Sequence, residues 1–385
     1  MIKNQDFRTK PSLAHGLSAL LVVTFAALMF AAPLQAQKAA APSDIYLPNG
    51  FSTNLARGPV DMGITDPALI GAIDVHVHVD PDSPGGSSGE EVRAIDVINF
   101  ARIAKARGMR GFVQKTHLDT SSAATALLVR QEVPGIEVFG RFGQNFPTGG
   151  INIASVDQFT QITGGWGRIV EMPTRDSITG WETIQKTGHD PRTWIKVRPP
   201  DAPKYVAISK DGKLLPEVIQ FIETLAKMTT TQSNGSIVLA TGHAAPEEHL
   251  LLAREGRRVG LQVLATHPKG IPQMEEIAKT GAFIEINASL ILKGKDPTAR
   301  TSTGDGFTDA IAWIRRVGAE SVIISSDCGQ ITNPLPSDAL AMAAKGLRSR
   351  GITERELNLM FKENPAKLLG LPPLEPKPAA EASKK

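Results

Sequence analysis

The chain alternates between two spacings of its apolar positions. Short, nearly unbroken apolar runs rich in valine and isoleucine are followed by longer stretches in which apolar residues recur every third or fourth position among charges. The first pattern suits strands buried on both faces, and the second suits helices with one packed face. The runs predict strands over 72–79, 109–116, 136–142, 168–173, 236–242, 261–267, 282–288 and 321–327. The helices predicted between them include 90–107, 216–230, 246–259, 271–280 and 307–318. Gly108, Gly260, Gly281 and Gly318 stand at the ends of four of them, where a left-handed residue lets the chain leave a helix. Eight strand–helix units in sequence make the fold class α/β, and predict a (β/α)8 TIM barrel.

The same pattern divides the chain. Residues 72–371 form the predicted barrel, and 177–215 exceed an ordinary connection, so they read as an insertion after strand four that could wall or cover a pocket. Residues 37–71, rich in Ala, Pro, Gly and Asn, read as a linker and lead-in, and 372–385 as a disordered tail. Residues 1–36 read as a signal peptide. Lys3, Arg8 and Lys10 precede an uncharged apolar run at 16–32, and small and polar residues follow, with cleavage expected after Ala36. The expected location is therefore periplasmic or secreted, with no stable membrane anchor once the leader is removed.

Charge removes some partners. The net charge is +3, and the leader, with its three cations against Asp6, carries +2 of it, leaving the body near neutrality. Nothing there favours nucleic acid or an anionic surface. A small-molecule substrate is expected, and a homo-oligomer is left open. The hydrophobic share of 41% suits a packed core. Cys328 is the lone cysteine, which excludes an internal disulfide and any zinc site needing two thiolates of one chain. It reads best as a small buried residue.

Chemistry gathers where a barrel places it, at the C-terminal ends of strands. The first strand carries His76 and His78, two apart and so on one side of it. FVQKTH ends the second strand with Lys115 and His117 on one face; VLATGH ends the fifth at His243, VLATHP the sixth at His267, and IISSDCG the eighth at Asp327. Five of the eight histidines thus fall at strand ends, while His15, His189 and His249 do not. Imidazoles and a carboxylate converging on one opening suit a first-row transition metal. Such an ion lowers the pKa of a bound water from about 15.7 towards 7 and so enables hydrolysis at neutral pH.

On these residues, and on ENPAKLLGL at 363–371, the chain resembles the amidohydrolase superfamily of metal-dependent hydrolases, as an uncharacterised branch. The resemblance implies that His76, His78 and Asp327 hold one divalent metal, zinc being the expected ion. It implies that His243 and His267 hold a second ion or bind substrate. Asp327 becomes the general base and then the proton donor to the leaving group. The expected reaction is attack of an activated water on an amide, cyclic amide, lactone or ester.

Family members with two metals bridge them with a carbamylated lysine or a glutamate from strand four. Here RIVEMPT offers Glu171 and no lysine. Lys115, on strand two, is the alternative bridge as a carbamate, or else a cationic clamp on substrate; Lys196 is a third candidate. The number of ions, one or two, stays open. His117, Arg141, Glu171 and Asn287 are candidate substrate contacts, with His117 and Lys115 also candidates for catalysis. Glu285, like Asn287, reads as a substrate contact or a barrel-packing residue, Arg141 and Asn145 are weaker pocket candidates, and Asp80 and Asp82 read as turn residues. Two rival readings are a PHP-like phosphoesterase, disfavoured because no histidine follows in Asp327-Cys-Gly-Gln, and a catalytically silent metal- or ligand-binding barrel.

Overall fold

A computed structural model describes residues 45–46, 52–53, 61–82, 93–190, 192, 198–230, 235, 237–268, 272–293 and 304–374. The leader, its cleavage position, Trp194, Lys196 and the tail beyond residue 374 lie outside the described residues. Among the described residues no helix is long and apolar enough to cross a membrane.

Eight strands form one sheet: β1 (Ile73–Val77), β2 (Gly111–Thr116), β3 (Glu137–Gly143), β4 (Gly167–Glu171), β5 (Val238–Ala240), β6 (Gln262–Ala265), β7 (Phe283–Asn287) and β8 (Val322–Ser325). They pair in sequence order, every pair parallel. Each expected strand is present, with both ends within two residues of the expected ones. Helices follow the strands on the outside, so the predicted (β/α)8 barrel is the observed architecture.

The barrel closes through a short seam between β8 and β1. Val77 and Cys328 form a single parallel bridge. The His78 N–H donates to the Cys328 carbonyl, and the Asp327 N–H donates to the His76 carbonyl, both at 2.9 Å. Gly329 makes the approach feasible. A Cβ there would lie 1.5 Å from the His78 carbonyl oxygen, and its φ of +124° is one that side-chain-bearing residues rarely adopt.

Side chains inside the barrel form layers. The lowest is apolar and takes at least one residue from every strand: Ile73 and Val75, then Val113, Phe139, Ile169, Val238, Leu264, Phe283 and Ile323. Ala366, Leu368 and Leu369 of the closing segment pack into the same cluster. That segment is pinned by Asn364, whose Nδ2 donates to the carbonyls of Ala319 (2.8 Å) and Val322 (2.7 Å). Two residues further along the strands, alternation brings in Lys115, Arg141, Glu171, Thr266, Glu285 and Ser325, all buried. A larger apolar cluster fills the space between sheet and helices.

Several segments differ from the expected pattern, among them the helix expected over 216–230, which ends at Leu225. The first helix starts at Val97 and runs to Ala106, with Asp96 capping it by accepting from the N–H groups of Ile98 and Asn99; residues 90–92 of the expected 90–107 lie outside the described residues. Residues 61–71, within the stretch read as a linker, dock on the barrel: Asp338 accepts from the Met62 and Ile64 N–H groups, and Arg348 grips Asp66 with two hydrogen bonds. The 177–215 stretch opens with the helix Ile178–Thr187 and ends in a hairpin pairing Ser209–Lys210 with Lys213–Leu214. The expected glycine ends hold: Gly108, Gly260, Gly281 and Gly318 all have positive φ.

Candidate metal centre

Strand β1 delivers its histidines through an irregularity. Plain alternation would put His76 and His78 on the face opposite Ile73 and Val75. The β1–β2 register instead shifts between Asp74 and Val77. Ile73 and Val75 therefore face the barrel interior, while Val77 and Val79 join the cluster under the helices. The bulge swings both imidazoles inward. Asp74 stabilises it, its Oδ1 accepting from the N–H groups of His76 (3.1 Å) and Ser326 (3.0 Å).

At the seam the two imidazoles meet Asp327. His76 Nε2 and His78 Nε2 are 3.1 Å apart. Asp327 Oδ1 lies 3.2 Å from the first and 3.1 Å from the second. Both histidines are buried, whereas the Asp327 side chain keeps 24% of its surface exposed towards the mouth. Asp327 and His267 have φ of 50° and 28°, strained for residues with side chains.

The partners around this triangle fix which atoms face it. His76 Nδ1 lies 3.0 Å from Glu285 Oε1. Burial pushes the Glu285 pKa up to about 7 against the pull of Arg141; in its ionised form Glu285 can only accept, which puts the proton on Nδ1 and turns the Nε2 lone pair to the triangle. Burial, reinforced by the Lys115 charge, holds the His76 imidazole well below its ordinary pKa and thus neutral. Asn287 Nδ2 donates to Asp327 Oδ2 at 2.8 Å and so aims Oδ1 at the histidines.

Acceptor atoms crowded together in this way fit a cation. Ligand atoms about 2.0–2.1 Å from a zinc ion stand roughly 3.3 Å apart in a tetrahedron, close to the spacing found here. His76, His78 and Asp327 form a group able to hold a metal.

The other histidines border this triangle. His117 stacks on His78 with ring centroids 5.0 Å apart, and its Nδ1 lies 3.1 Å from Thr174 Oγ1. His267 stacks on His76 at 5.8 Å, and His243 tilts against His267 at 5.2 Å. All five histidines found at strand ends are thus gathered at one mouth.

Lys115, Arg141 and Glu171 lie in the buried layer. Lys115 Nζ is 3.2 Å from Glu171 Oε2, and Arg141 Nη2 donates to Glu171 Oε1 at 2.5 Å. Burial works to raise the Glu171 pKa, but Arg141 and Lys115 pull it down to about 2. The two alternative bridging groups therefore contact each other. Asn145 ties loops together: its Nδ2 donates to the His117 carbonyl (2.7 Å) and Thr174 Oγ1 (2.8 Å), and its Oδ1 accepts from the Thr174 and Asp176 N–H groups. Cys328 is buried at the seam.

Two participants were not evident from sequence. Asp82, read as a turn residue, is buried against Arg93 at 2.5 Å, with its Oδ2 3.8 Å from His78 Nδ1. Glu285 was weighed only as a substrate contact or packing residue. It instead supports His76 from behind, and itself accepts from Ser325 Oγ at 2.8 Å. Its inward parity two residues before Asn287 was the available signal. If the triangle holds a metal, replacing Glu285 with glutamine should weaken that binding by about 10–100-fold, the usual cost of losing a histidine's carboxylate partner. Competition titration against a chromophoric chelator measures it.

The barrel resembles solved structures at low sequence identity. An organophosphorus hydrolase from Deinococcus radiodurans is 16% identical, with 79% of this chain and 93% of that chain covered and a TM-score of 0.50. A structure from the molecular engineering of organophosphate hydrolysis activity from a weak promiscuous lactonase template is also 16% identical, covering 79% of this chain and 96% of that one, with a TM-score of 0.52. No curated protein matches the chain. A family model described as a family of unknown function matches residues 71–285, which is more than half of the sequence, and the chain therefore belongs to that family, DUF6282.

Proposed function

We propose that this protein is an exported metal-dependent hydrolase of the amidohydrolase type, acting on a small molecule at an amide, cyclic amide, lactone or ester bond. The observation that carries the reading is the triangle of His76 Nε2, His78 Nε2 and Asp327 Oδ1, with edges of 3.1–3.2 Å, at the C-terminal mouth of a barrel. The neighbours reported as an organophosphorus hydrolase and a lactonase template are in keeping with it.

A divalent ion held by these three residues, zinc being the expected one, supplies the Lewis acidity that activates water at neutral pH. The remaining work belongs to the chain. Asp327, open to the mouth and oriented by Asn287, takes a proton from the attacking water and returns it to the leaving group. Glu285 keeps His76 in the tautomer whose Nε2 faces inward. His117, His243 and His267 border the opening and are placed to bind and orient substrate.

The test is elemental analysis of purified protein followed by turnover on lactones, aryl esters, cyclic amides, phosphodiesters and phosphotriesters. Bound metal with turnover of a carbonyl substrate, abolished by chelation and restored by zinc, is the expected result. Metal with no turnover across the panel would favour a binding barrel, and cleavage of phosphodiesters alone the phosphoesterase reading.

A further inference from the structure

We infer that Lys115 remains an ammonium ion pinning Glu171, so that neither residue bridges metals and the barrel carries one catalytic ion per chain. The inference rests on the hydrolase reading and deepens it.

Both oxygens of Glu171 are engaged by cations. Oε1 accepts from Arg141 Nη2 at 2.5 Å, and Oε2 faces Lys115 Nζ at 3.2 Å. Arg141 is itself fixed: Nη1 donates to the Val75 carbonyl and Nη2 to Thr266 Oγ1, each at 3.2 Å. Its guanidinium also lies 3.5 Å from Glu285 Oε1. Lys115, Arg141, Glu171 and Glu285 are all buried. Two cations, Lys115 and Arg141, thus face the one Glu171 carboxylate. For Glu171 to bridge metals, two enclosed cations would have to withdraw from it, with no water at hand to receive them.

A carbamate on Lys115 fares no better. Carbamylation joins the neutral Nζ to the carbon of carbon dioxide and releases one proton, replacing a cation by an anion. That anion would form beside Glu171 Oε2, inside a layer with little solvent to screen like charges. The lysine on strand two therefore pairs with Glu171, which stays beneath the centre.

The experiment uses full-length mature protein, stripped by chelation and reloaded with zinc, with and without 13C-labelled bicarbonate. Zinc per chain is measured by elemental analysis, and the carbamate carbon is sought by 13C NMR. One zinc per chain in both conditions, with no carbamate resonance, is expected. Lys115→Arg, which keeps the cation but cannot take up carbon dioxide, should also hold one zinc. Two zinc ions per chain with a carbamate signal in the wild type, and one without the signal in the arginine variant, would overturn the inference while leaving the hydrolase reading intact. Two zinc ions without that signal would overturn it in favour of Glu171 as the bridge. Absence of zinc altogether would remove both. The wild-type measurements decide the matter even if the variant fails to fold.

Discussion

Replacing Asp327 with alanine is expected to abolish hydrolysis and strip the protein of metal. On the proposed reading Asp327 would supply one of three ligand atoms, and its side chain is the most exposed of the three. The loss should exceed the roughly 10–100-fold cost of removing a supporting partner such as Glu285. Asp327→Asn separates the two roles, because an amide oxygen can still approach the ion but cannot take a proton. The asparagine variant should retain more metal than the alanine variant while being equally inactive. Metal content and kcat on whichever substrate the panel reveals check this. An asparagine variant with near-normal turnover would exclude Asp327 as the proton carrier.

The second large effect concerns stability. Arg141→Met leaves Glu171 with only Lys115 and deprives Glu285 of its nearest guanidinium, all without solvent access. Breaking a buried ion pair from one side costs about 3–5 kcal/mol, because the abandoned charge stays buried. The urea midpoint should fall accordingly. The double variant Arg141→Met with Glu171→Gln should recover part of the loss, since it removes the stranded charge along with its partner. A single variant as stable as the wild type would show that water reaches this layer.

How much of this was legible in the sequence follows from the range of the forces involved. The eight strands were readable because fully buried parallel strands leave unbroken apolar runs. The gathering of His76, His78, His117, His243, His267 and Asp327 was readable because a barrel's polarity brings the C-terminal ends of all its strands to one mouth. The bulge between Asp74 and Val77 was not. It depends on Asp74 reaching the Ser326 N–H, 252 positions away, and no local pattern encodes that partner. The pairing of Glu285 with His76 spans 209 positions and was missed for the same reason. Arg141 and Glu171 were recognised as candidate substrate contacts, but their mutual contact depends on how neighbouring strands stagger. The start of the first helix was legible in principle: Asp96 is a good cap, but the amphipathic pattern runs on before it.

The seam gives the centre an unusual dependence on the whole chain. His76 and His78 lie on or just past the first strand, Asp327 follows the last, and the two edges otherwise touch through one bridge, a few main-chain bonds and the hydrogen bonds of Ser326 to Asp74 and His76. Any ion gripped there acts as a clasp fastening the start of the sheet to its end. Occupancy would then stabilise the closed barrel globally, by about 2.7 kcal/mol at a ligand concentration of 100 Kd. The clasp cannot be assembled until the final strand has arrived, so uptake of the ion would mark completion of folding.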